Sequence, residues 1–110
     1  MNIQIFGSSK SFDSKKAERY FKERNIRVQY IVMKRYGISR GELQSVKNAV
    51  GLEKLIDPKA EDAVMLRYLS GDEARFEKLL ENQNWITMPI VRNGKAATVG
   101  YCPDIWKDWK

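Results

Sequence analysis

Residues 89–99 carry the strongest local indication of the fold, in the sequence Pro-Ile-Val-Arg-Asn-Gly-Lys-Ala-Ala-Thr-Val. Two strand-like runs, Ile90–Arg92 and Ala96–Val99, flank Asn93-Gly94. That dipeptide favours a tight type I′ turn between antiparallel strands. Pro89 directly precedes the first run. The stretch therefore predicts a β-hairpin near the end of the chain, entered through a proline.

The segments at the two ends of the chain add helices and a second pair of strands. Downstream of the hairpin, Pro103–Trp109 predicts a last amphipathic helix with proline at its first position. At the N-terminus, Asn2–Phe6 alternates polar and apolar residues, as a half-buried strand does. A helical pattern then runs to Asn25, and Arg27–Val32 predicts another strand. This β-loop-α-β order predicts an α/β domain with parallel pairing. The apolar faces of the two helices are Ala17, Tyr20 and Phe21 in the first, and Ile105, Trp106 and Trp109 in the last.

Between the second strand and the hairpin, the chain predicts a series of helices. Ser39-Arg40-Gly41-Glu42 is a capping box, which predicts a helix from about residue 40 to 50. Gly51 is expected to end that helix. A short apolar segment, Leu52–Ile56, and a short helix, Glu61–Leu69, follow. A second capping box, Ser70-Gly71-Asp72-Glu73, then predicts the start of another helix, which is expected to end near Asn82.

The composition excludes several classes of function. The 110 residues suffice for one domain. The chain has no histidine and one cysteine, Cys102, which excludes a Ser-His-Asp triad, a Cys/His zinc finger and a CxxC redox pair. No metal site is expected. No apolar run is long enough for a membrane span and no signal peptide precedes the domain, so a cytoplasmic protein without membrane contact is expected.

The positive charge is concentrated in the first half of the chain. Residues 1–50 hold 11 lysines and arginines against four acids, whereas residues 51–110 have a net charge of −1. One interpretation is an anionic partner, and the other is a solvated helix face. No RNA-recognition or helix-turn-helix pattern is present, so nucleic acid is not the expected partner.

The order of elements, with a serine-rich turn before the first helix and Pro89 before the hairpin, resembles thioredoxin-like proteins. Within them the chain resembles the arsenate reductase-related (ArsC/Spx-like) family, which includes glutathione-dependent arsenate reductases and Spx-type transcription regulators. The resemblance implies one α/β, glutaredoxin-like domain over residues 1–110. It implies a mixed four-stranded sheet, a helical insertion between strands 2 and 3, and a C-terminal hairpin plus helix. The matching motifs are Ile3-Gln4-Ile5-Phe6, Ser14-Lys15-Lys16-Ala17, Ile38-Ser39-Arg40-Gly41-Glu42-Leu43, Met88-Pro89-Ile90-Val91 and Val99-Gly100-Tyr101.

The chain departs from the family at its redox loop. Where the family has Cys-x-x-[Cys/Ser]-[Arg/Lys]-Lys-Ala, this chain has Ser11 and Ser14 at the two cysteine positions, and Ser9 replaces a usual proline. Met88 and Asp57 stand where the reductases have arginines. A serine hydroxyl is a poor nucleophile without an adjacent base and forms no mixed disulfide. Arsenate reduction by the family mechanism is therefore not expected.

The resemblance leaves a set of candidate ligand-binding positions. The backbone amides of the first helix and nearby lysines could hold an anion. Two interpretations stay open for Ser11: it caps the first helix, or it contacts a ligand. Two also stay open for Pro89: it shapes a turn, or it presents backbone to a ligand. Cys102 is either a small buried group or a reactive thiol at a helix start. The former redox-loop positions assigned to ligand binding are Ser9, Ser11, Ser14, Lys15 and Pro89.

Three functions are consistent with these residues. The first is a non-catalytic domain that binds a protein or a thiol-type ligand such as glutathione. The second is a glutathione-dependent oxidoreductase or transferase in which Ser11 polarises the thiol. The third is a regulator that binds RNA polymerase around Gly51, the position where the Spx-type regulators have a partner-binding glycine. A glycine at a helix end is also a common C-cap.

Overall fold

A mixed four-stranded sheet forms the centre of the protein. The computed structural model describes all 110 residues, and its strand order is β2-β1-β3-β4. β1 (Ile3–Gly7) pairs in parallel with β2 (Val28–Val32) and antiparallel with β3 (Ile90–Asn93). β4 (Ala96–Val99) completes the hairpin with β3. The predicted parallel first pair and C-terminal hairpin are both confirmed.

Helices cover both faces of the sheet because the strands alternate their buried side chains between two cores. Phe6 and Ile90 point into the larger core, which the helices between β2 and β3 fill. Ile5 and Val91 point into the smaller core, which the first and last helices fill. The helices are α1 (Phe12–Glu23), α2 (Met33–Tyr36), α3 (Arg40–Val50), α4 (Leu52–Leu55), α5 (Asp72–Glu81) and α6 (Pro103–Trp106), with 3-10 segments at Glu61–Tyr68 and Gln83–Trp85.

Local capping residues fix the two longest helices where the sequence predicts them. Ser39 accepts a hydrogen bond from the Glu42 amide, and the Glu42 carboxylate accepts one from the Ser39 amide, so the capping box of α3 is formed. Gly51 ends α3 with φ of +88°. Asn25, at φ of +57°, ends the α1 turn as expected.

None of the helices combines the length and the apolar character needed to cross a bilayer.

The predicted second capping box and the predicted hairpin turn are both wrong. The capping residue of α5 is Gly71, which has no side chain to cap with, so Ser70 forms no capping box. In the hairpin, Asn93 pairs with Ala96, which leaves Gly94-Lys95 as the turn. Only Gly94 has a positive φ there, whereas a type I′ turn requires it at both turn residues.

The last helix is shorter than the predicted Pro103–Trp109 and ends at Trp106. Trp106 is buried and its Nε1 donates a hydrogen bond of 2.8 Å to Thr98 Oγ1. Ile105 is exposed, so it does not share the buried face of Trp106 as predicted. The 61–68 segment is helical as predicted, but with 3-10 rather than α geometry.

Candidate functional site

The loop before α1 is held by serine side chains. Ser11 is the N-cap, and its Oγ accepts a hydrogen bond of 3.1 Å from the Ser14 amide. Ser14 Oγ in turn accepts one of 3.2 Å from the Ser8 amide. Both bonds satisfy backbone donors that a helix start and its preceding loop would otherwise leave without partners. The predicted capping role of Ser11 is thus present in the structure.

Ser14 lies behind this loop. Its side chain is fully buried beside the Tyr30 side chain, and burial raises the pKa of the Tyr30 hydroxyl. A Cβ built on Gly7 would lie 2.6 Å from Tyr30 Oη and 2.8 Å from Ser14 Oγ, so the end of β1 is packed tightly against α1. Ser14 therefore supports the loop through a buried hydrogen bond and does not line the cleft in front of it, and a direct ligand contact by Ser14 stays a prediction.

A cleft of about 860 Å³ opens in front of the loop. Met33 and Ile86 are its buried apolar residues, and Phe12 is an exposed aromatic side chain, 79% accessible, on its lining. The residues of the loop and α1 that line it are Ser8, Lys10, Ser11, Phe12 and Asp13; those from elsewhere are Met33, Lys34, Asp57, Pro58, Lys59, Gln83, Asn84, Ile86, Thr87 and Met88.

Two distant chain segments form one side of the cleft because their backbones are paired. The Asp57 amide donates to the Trp85 carbonyl and the Thr87 amide to the Leu55 carbonyl, both at 2.8 Å, on either side of an Ile56–Ile86 bridge. Thr87 Oγ1 is buried and has no protein hydrogen-bond partner. A buried hydroxyl in this state is costly, by about 1–3 kcal/mol. Thr87 lines the cleft, but this oxygen is buried, so a ligand contacts it only if the atoms that cover it move.

The cleft carries both signs of charge, with a surplus of positive charge. Lys10, Lys34 and Lys59 line it together with Asp13 and Asp57, and none of these five forms an ion pair. Asp57 is turned towards its own loop, where its Oδ1 accepts a hydrogen bond of 2.9 Å from the Lys59 amide. No arginine lines the cleft, so it offers single-point cationic contacts rather than bidentate ones.

The predicted ligand positions fall in different places around this cleft. Ser11 lines it, whereas Ser9 and Lys15 are exposed but outside its lining. Pro89 follows a cis peptide bond, its ring is buried, and its carbonyl accepts a hydrogen bond from the Gly100 amide. It is Met88 that reaches the cleft. Sequence reasoning missed Lys34, Lys59, Gln83 and Thr87, because nothing in the chain near them indicates that they meet α1.

Gly51 and Cys102 lie outside the cleft. Gly51 is exposed, with open space where a Cβ would be, and its φ of +88° already favours glycine. Cys102 is partly buried, its thiol donates to the Val99 carbonyl, and burial raises its pKa above the ordinary value. A raised pKa disfavours the thiolate, so the helix start at Pro103 does not activate this cysteine.

The architecture matches solved structures along nearly the whole chain. A putative ArsC family related protein from Bacteroides fragilis is similar at 20% identity and a TM-score of 0.84, covering 100% of this chain and 98% of that one. An arsenate reductase from Vibrio cholerae has 24% identity and a TM-score of 0.82, with 96% and 94% covered. A putative arsenate reductase from Yersinia pestis has 16% identity and a TM-score of 0.83, with 98% and 100% covered.

No protein-family model and no curated protein matches the sequence. The likeness to solved structures therefore establishes the fold: the chain has the thioredoxin-like fold of the arsenate reductase-related proteins. The resemblance found in the sequence is confirmed at that level.

Proposed function

We propose that this protein is a non-redox domain of the arsenate reductase-related type that binds an anionic thiol such as glutathione in the cleft in front of α1. The observation that carries the proposal is the state of the Ser11 hydroxyl. Capping uses one of its lone pairs, and its proton has no protein acceptor. Ser11 can therefore cap the helix and donate to a ligand at the same time.

The other side of the cleft supports the same ligand class. Thr87 Oγ1 has no protein partner, and Lys34 and Lys59 supply positive charge without competing ion pairs. Glutathione carries carboxylates that such lysines attract and peptide groups that hydroxyls hydrogen-bond. Arsenate is a poorer match, because a compact oxyanion is best held by bidentate arginines. The resemblance would place such arginines at positions 88 and 57, where this chain has Met88 and Asp57.

An amide NMR titration with reduced glutathione tests the proposal. Saturable shifts are expected at Ser8–Lys16 and at Met88–Ile90, and arsenate at the same concentration is expected to leave these signals in place. An unchanged spectrum at millimolar glutathione would refute the small-ligand proposal. The domain would then be pursued as a protein-binding module.

Ser11→Ala should weaken glutathione binding about tenfold, the usual effect of losing a hydrogen bond to a charged group. It also removes a helix cap, which costs about 1 kcal/mol of folding free energy. Ser39→Ala is the matched control, since it removes the cap of α3 and lies outside the cleft. Equal glutathione affinity in both variants, measured by the same titration, would contradict a ligand role for Ser11.

The free Ser11 proton also favours one catalytic alternative, glutathione transfer to an electrophile. A hydroxyl that donates to the sulfur stabilises the thiolate, which is the nucleophile in such reactions. An assay in which glutathione displaces the halide of an aryl halide separates this alternative from simple binding, and the absorbance of the conjugate measures the rate.

RNA polymerase binding through Gly51 stays a separate prediction, for which capture of the polymerase is the test.

A further inference from the structure

A second groove, of about 390 Å³, lies on the outer side of α1, against the segment that leads into α6. It is lined by Lys16, Arg19, Tyr20, Glu23 and Arg24 of the α1 region and by Tyr101. None of these residues lines the cleft in front of α1. The groove is therefore a separate feature of the surface, in the helical layer that covers the smaller core.

The cations of this groove have no acidic partners. Residues 10–27 hold seven lysines and arginines against three acids, and none of them forms an ion pair. The ion pairs of the protein all lie elsewhere, on Arg40, Arg75, Lys78 and Arg92. An unpaired cationic surface of this kind attracts an anionic partner.

Two tyrosines lie against two of the groove's three cations, Arg24 and Lys16. The Arg24 guanidinium lies 3.6 Å from the Tyr20 ring centroid, and its Nη1 donates a hydrogen bond of 3.0 Å to the Tyr20 carbonyl. Lys16 Nζ lies 5.6 Å from the Tyr101 ring centroid. Cation–π contacts of this kind reduce the freedom of long side chains. Part of the entropy that binding would cost is thereby already lost in the free protein.

The same contacts indicate which kind of anion fits. Single-stranded nucleic acids bind by stacking bases on open aromatic faces, but Tyr20 is buried beneath Arg24, and Lys16 lies over Tyr101. Glu23 adds a negative charge that repels phosphates. A peptide can offer a lysine or a backbone N–H to that carboxylate while its own acidic side chains reach the cations.

We propose that the groove between α1 and Tyr101 docks an acidic, extended peptide segment of a partner protein. Along α1, Lys16 and Arg19 are one turn apart, about 5–6 Å between their Cβ atoms. Alternate side chains of an extended peptide lie on one side, about 7 Å apart. Two acidic residues separated by one other residue can therefore meet Lys16 and Arg19 together. This inference goes beyond the glutathione proposal and does not depend on it.

The test is an amide NMR titration with a synthetic peptide in which glutamate alternates with serine. Saturable shifts are expected at Lys16–Arg24 and Tyr101, and weaker binding at higher ionic strength. Shifts confined to Ser8–Asp13 would place the peptide in the cleft and overturn the proposal, as would the absence of binding at low salt. Tighter binding of an oligothymidylate under the same conditions would overturn it in favour of nucleic acid.

Two double variants separate the groove from simple net charge. Lys16→Gln combined with Arg19→Gln should lower the affinity for the peptide about two- to thirtyfold, the range expected for the loss of two exposed ion pairs. Lys22→Gln with Arg27→Gln removes the same charge from exposed positions outside the groove and should change the affinity less than twofold. Equal weakening by both pairs would show non-specific attraction and refute a defined site. Glutamine keeps the helix propensity of lysine and arginine, so both proteins should fold.

Discussion

Ser11→Cys is expected to give a protein that takes up a single glutathionyl group from oxidised glutathione, whereas the wild-type protein is expected to take up none. The new sulfur would occupy the N-cap of α1, where the Ser14 amide already donates to the side chain at position 11. A helix N-terminus and nearby cations such as Lys10 lower a cysteine pKa from about 8.5 to about 3.5–7.5. A thiolate at that place attacks one sulfur of oxidised glutathione and breaks its S–S bond. The products are the mixed disulfide at position 11, which serine does not form, and one released glutathione thiolate.

Intact mass after incubation with oxidised glutathione measures this outcome, and alkylation rates across pH give the pKa. The wild-type protein is the control, because its one thiol, Cys102, is partly buried and has a raised pKa. The same variant unfolded in urea supplies the rate of an ordinary cysteine. If the folded Ser11→Cys protein alkylates no faster at neutral pH than the unfolded one, the α1 loop does not activate a thiol.

Gly7→Ala is expected to lower the free energy of unfolding by about 1–3 kcal/mol, the usual cost of adding a methyl group where there is no space for it. The added Cβ would lie 2.6 Å from Tyr30 Oη and 2.9 Å from Ser14 Cβ. The tyrosine hydroxyl could move, but Ser14 belongs to the first turn of α1, so relief requires a shift of the helix. That shift would also displace Ser11 and disturb the cleft.

Gly41→Ala is the matched control for this prediction. Gly41 lies in the first turn of α3, its φ is not positive, and nothing lies within 4 Å of an added Cβ. The substitution should stabilise the protein by up to about 1 kcal/mol, because alanine loses less backbone entropy on folding. Urea denaturation of both variants gives the comparison. A Gly7→Ala protein as stable as the Gly41→Ala protein would mean that α1 is not packed against β1 as described.

The helices that the sequence predicted correctly depend on residues close together in the chain. The capping box of α3 needs only Ser39 and Glu42, three positions apart, and Asn25 ends the α1 turn through its own backbone conformation. The second capping box failed because Gly71, at φ of +85°, begins α5 one residue later than the motif implied. A local motif therefore predicts a helix more reliably than it predicts the first residue of that helix.

The candidate site was predictable only at its α1 end. Ser11 was identified because the resemblance places the redox position there, and the structure adds that its hydroxyl proton is free. Lys59 and Thr87 were not identified, since they reach the cleft through pairing between segments about thirty positions apart, Leu55–Asp57 and Trp85–Thr87. Lys34 was not identified either, and it reaches the cleft from α2. No periodicity or motif in a single sequence encodes such a long-range contact.

By itself the sequence determined the kinds of elements and their order. It also led to the prediction, through the resemblance, that serine stands at the redox position of a chain that has no histidine. The tertiary structure alone decided which residues share a surface. It buried Ser14 beneath Gly7 and Tyr30, joined Thr87 to the cleft, and brought Tyr101 beside Lys16. The physical reason is that helix and strand preferences come from neighbouring residues, whereas a binding surface comes from burying two apolar cores against one sheet, which brings distant segments together.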